Sequence, residues 1–360
     1  MTWITETFIP EAKKVIDVKD DLNVTQFLSL ASEGTAVRWT SDYHNAKSFL
    51  IAVDKRITKN TKPLKPSSTL RDAFNHHRQS QSHRARIQAR LLIPIDGGLN
   101  IKLPRAPDVR SALREALSDP PTDGFDISLR ELLGIVGAHE WRKKGIEVKA
   151  LSGAKIHPHY GVFFPVRSEY LDLLVQAPLP ASVEVAFDIG VGSGVLSAIL
   201  AQRNVKKIIA TDSEPRALEC ARENFARLGL EKQINLEQRN LFPEGKADLI
   251  VCNPPWLPGR PTSRLEGAIY DFESQMLKGF LNGLKLHLNQ NGEAWLIISN
   301  FAELLGLRGP NELQSWLTTA GLKTVGKLNT HPNHPKSKDK TDPLFEARTK
   351  ETTTLWRVTS

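Results

Sequence analysis

The sequence predicts an α/β fold with a parallel sheet and helices on both faces, preceded by a mostly helical, basic domain. Three observations predict it. From residue 183 onward, short apolar runs suited to strands alternate with helical patterns. The first run leads into a glycine-rich turn, Asp188-Ile189-Gly190-Val191-Gly192-Ser193-Gly194. The fourth ends at Asn253-Pro254-Pro255-Trp256.

The 360-residue chain is long enough for two domains, with boundaries predicted at 1–145 and 146–360. Its 40% hydrophobic and 24% charged content is ordinary for a globular protein. No stretch of about 18 apolar residues predicts a membrane span, and residues 1–10 lack the pattern of a secretory signal. Cys220 and Cys252 are the two cysteines, too few for a disulfide framework or a zinc site; they suit a reducing, cytoplasmic setting. The net charge of +8 permits attraction to phosphate or to acidic protein without selecting either.

In chain order, residues 41–57 predict a helix with Ser41 as N-cap and Ala46, Phe49, Leu50 and Val53 on its apolar face. A basic, proline-containing loop follows at 58–68. Residues 69–92 read as one long helix carrying Arg71, Arg78, Arg84, Arg86 and Arg90. Arginine forks suit phosphate oxygens, so Arg78 and Arg86 are candidate substrate contacts, the alternative being a solvated helix face. Helices are expected at 106–117 and 127–144, the second with Trp141 on its apolar face. His76, His77, His83, His157 and His159 lack a partnering carboxylate or cysteine pattern, and no metal site is expected. Residues 146–156 read as a hairpin, and 168–176 as a helix.

Strands are predicted at 183–187, 207–211, 233–238, 247–252 and 293–298, with 323–328 and 352–358 completing seven. The lysine-rich stretch 331–350 reads equally as a lid over the substrate or as a long loop. Gly190 and Gly192 allow a tight turn and close backbone approach to a ligand, and Gly194 lets the following helix pack near the strand. Asp212 ends the second strand, about 20 residues past the loop, where a carboxylate can hold a ribose hydroxyl pair. Two classes share this layout, nicotinamide dehydrogenases and S-adenosylmethionine methyltransferases. The G-x-G-x-G spacing differs from that of a dinucleotide loop, and Asp188 ahead of it would face a cationic cofactor end.

Asn253-Pro254-Pro255-Trp256 decides between the two. The prolines fix the backbone, and the residue before a proline is pushed to an extended conformation. Asn253 offers a side-chain carbonyl and Pro254 a backbone carbonyl, two fixed acceptors for a planar NH2 group. Trp256 can stack on the group that bears the nitrogen.

These motifs, with Arg239-Asn240-Leu241-Phe242, resemble those of class I S-adenosylmethionine-dependent methyltransferases with an Asn-Pro-Pro-aromatic motif. Among these the chain is similar to the release-factor glutamine methyltransferases and the small-domain ribosomal RNA methyltransferases. The resemblance covers residues 183–300 and implies a seven-stranded Rossmann-like sheet and S-adenosylmethionine as cofactor. It assigns Asp188, Gly190, Gly192, Gly194, Asp212, Asn240 and Leu241 to the cofactor, and Asn253 to Trp256 to catalysis. It also implies that a loop and helix ahead of the glycines close over the cofactor, which brings in Phe164 and Arg167. Two positions depart from the family pattern: Asn240 stands where an acidic residue is usual, and Trp256 where Tyr or Phe is common. The implied reaction is methyl transfer to an amide or amino nitrogen of a macromolecule. The acceptor is a protein glutamine of the translation machinery or an exocyclic amine of RNA or DNA. A non-catalytic RNA-binding module on the same fold is the alternative of a different class, against which the intact motif argues.

Overall fold

The computed structural model describes residues 2–61, 69–164, 168–333 and 339–360. Arg167, singled out from sequence, lies outside them, as do residues 62–68 of the basic loop and 334–338 of the lysine-rich stretch. The chain divides into two compact units, Met1–Ser68 with Asn75–Lys143, and Thr69–Phe74 with Lys144–Ser360.

The first unit holds five strands: β1 (Thr2–Ile4), β2 (Lys14–Val18), β3 (Thr35–Trp39), β4 (Leu91–Ile95) and β5 (Phe125–Ser128), in the sheet order β1-β5-β4-β3-β2. Helices α1 (Val24–Ser32), α2 (Tyr43–Asn60), α3 (Leu70–Gln88), α4 (Arg110–Ala116) and α5 (Leu129–Lys144) accompany them. Helix still makes up most of the regular structure here, but the sheet was not anticipated. Its strands are only three to five residues long, too short for a clear period-two pattern. The helix expected over 69–92 therefore stops at Gln88, and Leu91 to Ile95 form a strand buried except at Pro94.

Two other expectations are corrected. The N-cap of α2 is Asp42, whose Oδ1 accepts from the amides of His44 and Asn45; Ser41 donates instead to Asp20. Trp141 is 55% exposed. The buried stripe of α5 runs Leu129, Leu132, Ile135, and six residues beyond Ile135 the helix has turned about 240° from that stripe.

In the second unit a two-stranded ribbon, β6 (Ile146–Glu147) and β7 (Lys155–Ile156), forms the expected hairpin. The main sheet comprises β8 (Val185–Ile189), β9 (Lys207–Asp212), β10 (Ile234–Gln238), β11 (Ala247–Cys252), β12 (Leu288–Ser299), β13 (Lys323–Thr330) and β14 (Thr353–Thr359). Its order is β10-β9-β8-β11-β12-β14-β13; β14 runs antiparallel to both of its neighbours and the other pairings are parallel. Six helices accompany it: α6 (Glu169–Gln176), α7 (Val195–Gln202), α8 (Pro215–Leu228), α9 (Gln275–His287), α10 (Phe301–Leu304) and α11 (Glu312–Thr319). A seventh, α12 (Phe345–Lys350), occupies the end of the stretch read as lid or loop.

Alternation along the strands sorts the core into two layers. Ala186, Leu249 and Val251 join the cluster around α6, α7 and α8, whereas Phe187, Ile189, Ile250 and Cys252 join the one around α9 and α11. A sheet buried on both faces explains why these strands read as near-continuous apolar runs.

Candidate functional site

Strand order reverses between β8 and β11, the neighbouring strands at the centre of the sheet. Crevices at such switch points, outside the carboxyl ends of the strands, are where open α/β sheets bind ligands. Here the register pairs Ile189 with Cys252. Gly190 and Asn253 therefore leave the sheet side by side, on strands about 5 Å apart. Both line a cleft of about 300 Å³, walled also by Phe163, Tyr170, Ser193, Asp212, Leu241 and Met276.

The glycine turn is pinned from below. Gly190 and Val191 donate to the carbonyl of Thr211 at 2.9 and 2.8 Å, tying the turn to the end of β9. Gly190, Gly192 and Gly194 have φ of +80°, +51° and +87°, a region costly to residues with a Cβ. Gly192 lines the cleft. Gly194 does not: a Cβ there would lie 2.7 Å from the Phe225 ring, so its role is close packing of α7 and α8. Asn224 of α8 was missed from sequence. It is fully buried, donates to the Ser193 carbonyl at 3.0 Å and accepts from the His157 amide at 2.8 Å.

Asp212 lines the cleft, and each of its oxygens takes one backbone N–H, from Gly192 and from Glu214, both at 3.0 Å. A carboxylate has about four acceptor sites, so capacity remains for a ligand hydroxyl pair. Burial pushes its carboxyl above the usual range against those two hydrogen bonds. Asp188 is fully buried and is not on the cleft wall. Its Oδ2 accepts from Ser197 Oγ at 2.6 Å while Oδ1 has no partner. Burial, assisted by the nearby charge of Asp212, pushes its pKa up to about 6. The expectation that Asp188 faces a ligand directly is therefore corrected: it sits beneath the turn, off the cleft wall.

Asn240 is exposed at the cleft edge, and Leu241 beside it has φ +78°. The Leu241 carbonyl accepts from Thr211 Oγ1 at 2.5 Å, which holds this left-handed turn against the end of β9.

Within the proline motif, Asn253 and Pro255 line the cleft, whereas Pro254 is buried and Trp256 is turned away. The Trp256 indole N–H donates to Asn253 Oδ1 at 2.9 Å, and the ring packs against both core layers. Tyr170 of α6 meets that ring edge-on at 6.0 Å; burial raises the pKa of its hydroxyl, and the nearby Asn253 side chain opposes that shift. The expected stacking of Trp256 on an acceptor is corrected accordingly: Trp256 is off the cleft wall, its N–H engaged by Asn253 and its ring by Tyr170 and the core. Phe164 likewise packs on the core, and its neighbour Phe163 lines the cleft. Tyr170 and Phe163 offered no sequence signal beyond their place ahead of the glycine turn.

The segment after the motif returns to the cleft. Leu257 bridges to Tyr270, and Asp271 accepts from the amides of Met276 and Leu277 at 3.0 Å, capping α9. Arg264 and Ala268 of this segment line the cleft, as do Arg216 and Arg239.

Of the arginines expected on one helix over 69–92, Arg84 of α3 pairs with Asp54, and Arg90, past the end of α3, is buried, donating to the Pro10 carbonyl and lying over Trp3. Arg84 and Arg90 are therefore engaged inside the protein. Arg86 is exposed and Arg78 half-buried. Among the described residues no group of three or more His, Cys, Asp or Glu could hold a metal ion, and no helix is long and apolar enough to cross a membrane.

The cleft fits the cofactor that the motifs imply. Ser193 Oγ, on its wall, is buried without a partner, as is the Asp188 oxygen beneath it. Asp212 keeps open acceptor sites, and Val162, Ala217 and Leu241 supply apolar surface.

Comparison with known proteins places residues 155–307 in the family model described as methyltransferase small domain. A putative protein N5-glutamine methyltransferase of Methanocaldococcus jannaschii is 28% identical over 181 residues, 48% of this chain and 87% of that protein. A ribosomal RNA small subunit methyltransferase C of an Enterobacter species is 31% identical over 165 residues, 45% of this chain and 43% of that one. A ribosomal protein uL3 glutamine methyltransferase of Bordetella pertussis is 31% identical over 205 residues, 50% of this chain and 68% of the relative. With that much of such a relative shared, and the family match spanning both the glycine turn and the proline motif, the chain belongs to the methyltransferase small domain family.

Proposed function

We propose that the protein transfers a methyl group from S-adenosylmethionine to a side-chain amide nitrogen of a protein glutamine in the translation machinery. The observation that carries this reading is the register of β8 on β11, which brings the glycine turn and Asn253 to one cleft. Two of the relatives are glutamine methyltransferases by name.

The cofactor, when bound, supplies an electrophilic sulfonium methyl, so the protein's contribution is orientation and exclusion of water. Asp212 would hold the ribose hydroxyls, the turn Gly190 to Gly194 the amino-acid end, and Asn240 with Leu241 the base. Asp188 lends negative charge from beneath the turn. Asn253 Oδ1 and the Pro254 carbonyl would accept the two N–H groups of the acceptor amide. Drawing on both hydrogens localises the nitrogen lone pair, and the nitrogen sheds a proton once it is methylated, so no strong base is required beforehand.

A second reading, an exocyclic amine of RNA, has its own support. Arg216, Arg239 and Arg264 stand around the cleft, and one relative is a ribosomal RNA methyltransferase. Arg78 and Arg86 would then be phosphate contacts. Both readings suit a cytoplasmic protein. Transfer of tritiated methyl groups into extract of cells lacking the enzyme, followed by digestion, tests them. Label removed by protease and not by RNase is expected; label removed by RNase would establish the second reading, and no label at all would end both.

A further inference from the structure

Trp256 is held at three points, two of them on its indole. Its N–H donates to Asn253 Oδ1 at 2.9 Å, its main-chain carbonyl accepts from Nη2 of Arg308 at 3.2 Å, and Tyr170 meets its ring edge-on. Arg308 is itself buried and paired with Glu303 at 3.4 Å. An indole N–H can only donate, so the carboxamide atom it faces is the oxygen.

We propose that Trp256 is a positioning residue whose indole N–H locks the Asn253 carboxamide against a half-turn, with Arg308 anchoring its main chain and Tyr170 meeting its ring edge-on. The inference rests on the proposed role of Asn253 as acceptor for the substrate nitrogen. The two ends of a carboxamide are nearly equal in size, and a half-turn about its terminal torsion exchanges an acceptor for a donor. Left unlocked, the carboxamide would spend part of its time with its own NH2 facing that of the substrate, donor against donor. The lock commits one lone pair of Oδ1 to Trp256 while the Asn253 side chain keeps its place on the cleft wall, where the substrate would meet it. Such a device acts on the bound complex. Its loss therefore falls on kcat, and affinity for the methyl donor is spared.

Trp256→Phe keeps the ring and removes the N–H. With the extract fraction that the intact enzyme labels as acceptor, kcat should fall about 10-fold or more, the scale set by misoriented reacting groups. Affinity for S-adenosylmethionine by calorimetry should change less than about twofold, because Trp256 does not line the cleft. In an Asn253→Asp background both ends of the side chain accept, so Trp256→Phe should cost less than about twofold there. An unchanged kcat for Trp256→Phe, or an equal loss in both backgrounds, would overturn the proposal. A readout independent of turnover is hydrogen exchange of the Trp256 indole N–H by 15N NMR. Protection in the intact protein that is lost in Asn253→Ala is expected; equally fast exchange in both overturns the lock, even where the Asp background is inactive. If the intact enzyme labels nothing, the functional reading fails, and the exchange measurement still decides whether the lock exists.

Discussion

Asn253 is the side-chain acceptor that the proline motif places on the cleft wall. Asn253→Ala should lower turnover about 10²- to 10³-fold, the usual cost of removing a preorganised polar contact to reacting groups. Binding of S-adenosylmethionine, followed by calorimetry, should survive. Asp212→Ala should do the reverse, weakening cofactor affinity by about one to two orders of magnitude through loss of charged acceptors; equilibrium titration checks it. Asp188 makes a pH prediction. Its carboxyl titrates at about 6 in the folded protein and near 4 when unfolded. The folded state therefore holds more protons between those values, and the contribution to stability, full below about pH 4, is lost as pH rises through about 6. Asp188→Asn should flatten that part of the stability profile and raise stability of the cofactor-free protein above pH 7 by on the order of 2 kcal/mol. Thermal melts at pH 4, 6 and 8 measure it; a melting temperature at pH 8 no higher than that of the intact protein would refute it.

Among the elements, the strand–turn–helix units were the most legible. Val185 to Ile189 and Ala247 to Cys252 are strands that lead into Gly190 and Asn253, because a central parallel strand is apolar along most of its length and its end is marked by glycine or proline. Pro215 stands in the first turn of α8 and Gly229 just past its end, as their backbone preferences require. Gly194 carries the clearest stability prediction. Its φ of +87° and the 2.7 Å approach of Phe225 leave no room for a methyl group. Gly194→Ala should destabilise the protein by at least about 1–2 kcal/mol, from the left-handed backbone alone, and chemical denaturation would show it. The elements read least well were the short strands of the first unit and Trp141 on α5. Their placement depends on neighbours far away in sequence, such as Phe125 beside Ile95 and Thr2 beside Phe125.

For the whole molecule, the residues that line the cleft run from Gly161 to Met276, all within the second unit. A chain comprising 144–360 should therefore bind S-adenosylmethionine within a few-fold of the intact protein, as calorimetry would show. The first turn of α3 groups with that unit, and Phe74 lies 6.5 Å from Tyr270 on the segment that returns to the cleft. Removing it bares Tyr270 and not the glycine turn. The sequence by itself determined the order of the sheet's elements, the glycine turn and the proline motif, because these are set by local backbone chemistry: where φ must be positive, where a strand must end, where two rings fix the chain. Only the tertiary structure decided that Asp188 lies below the cleft, that Phe163 rather than Phe164 faces it, and that Trp256 turns inward onto Asn253. Each of those outcomes depends on which distant side chain fills a given space, and packing of that kind leaves no period or spacing in the sequence.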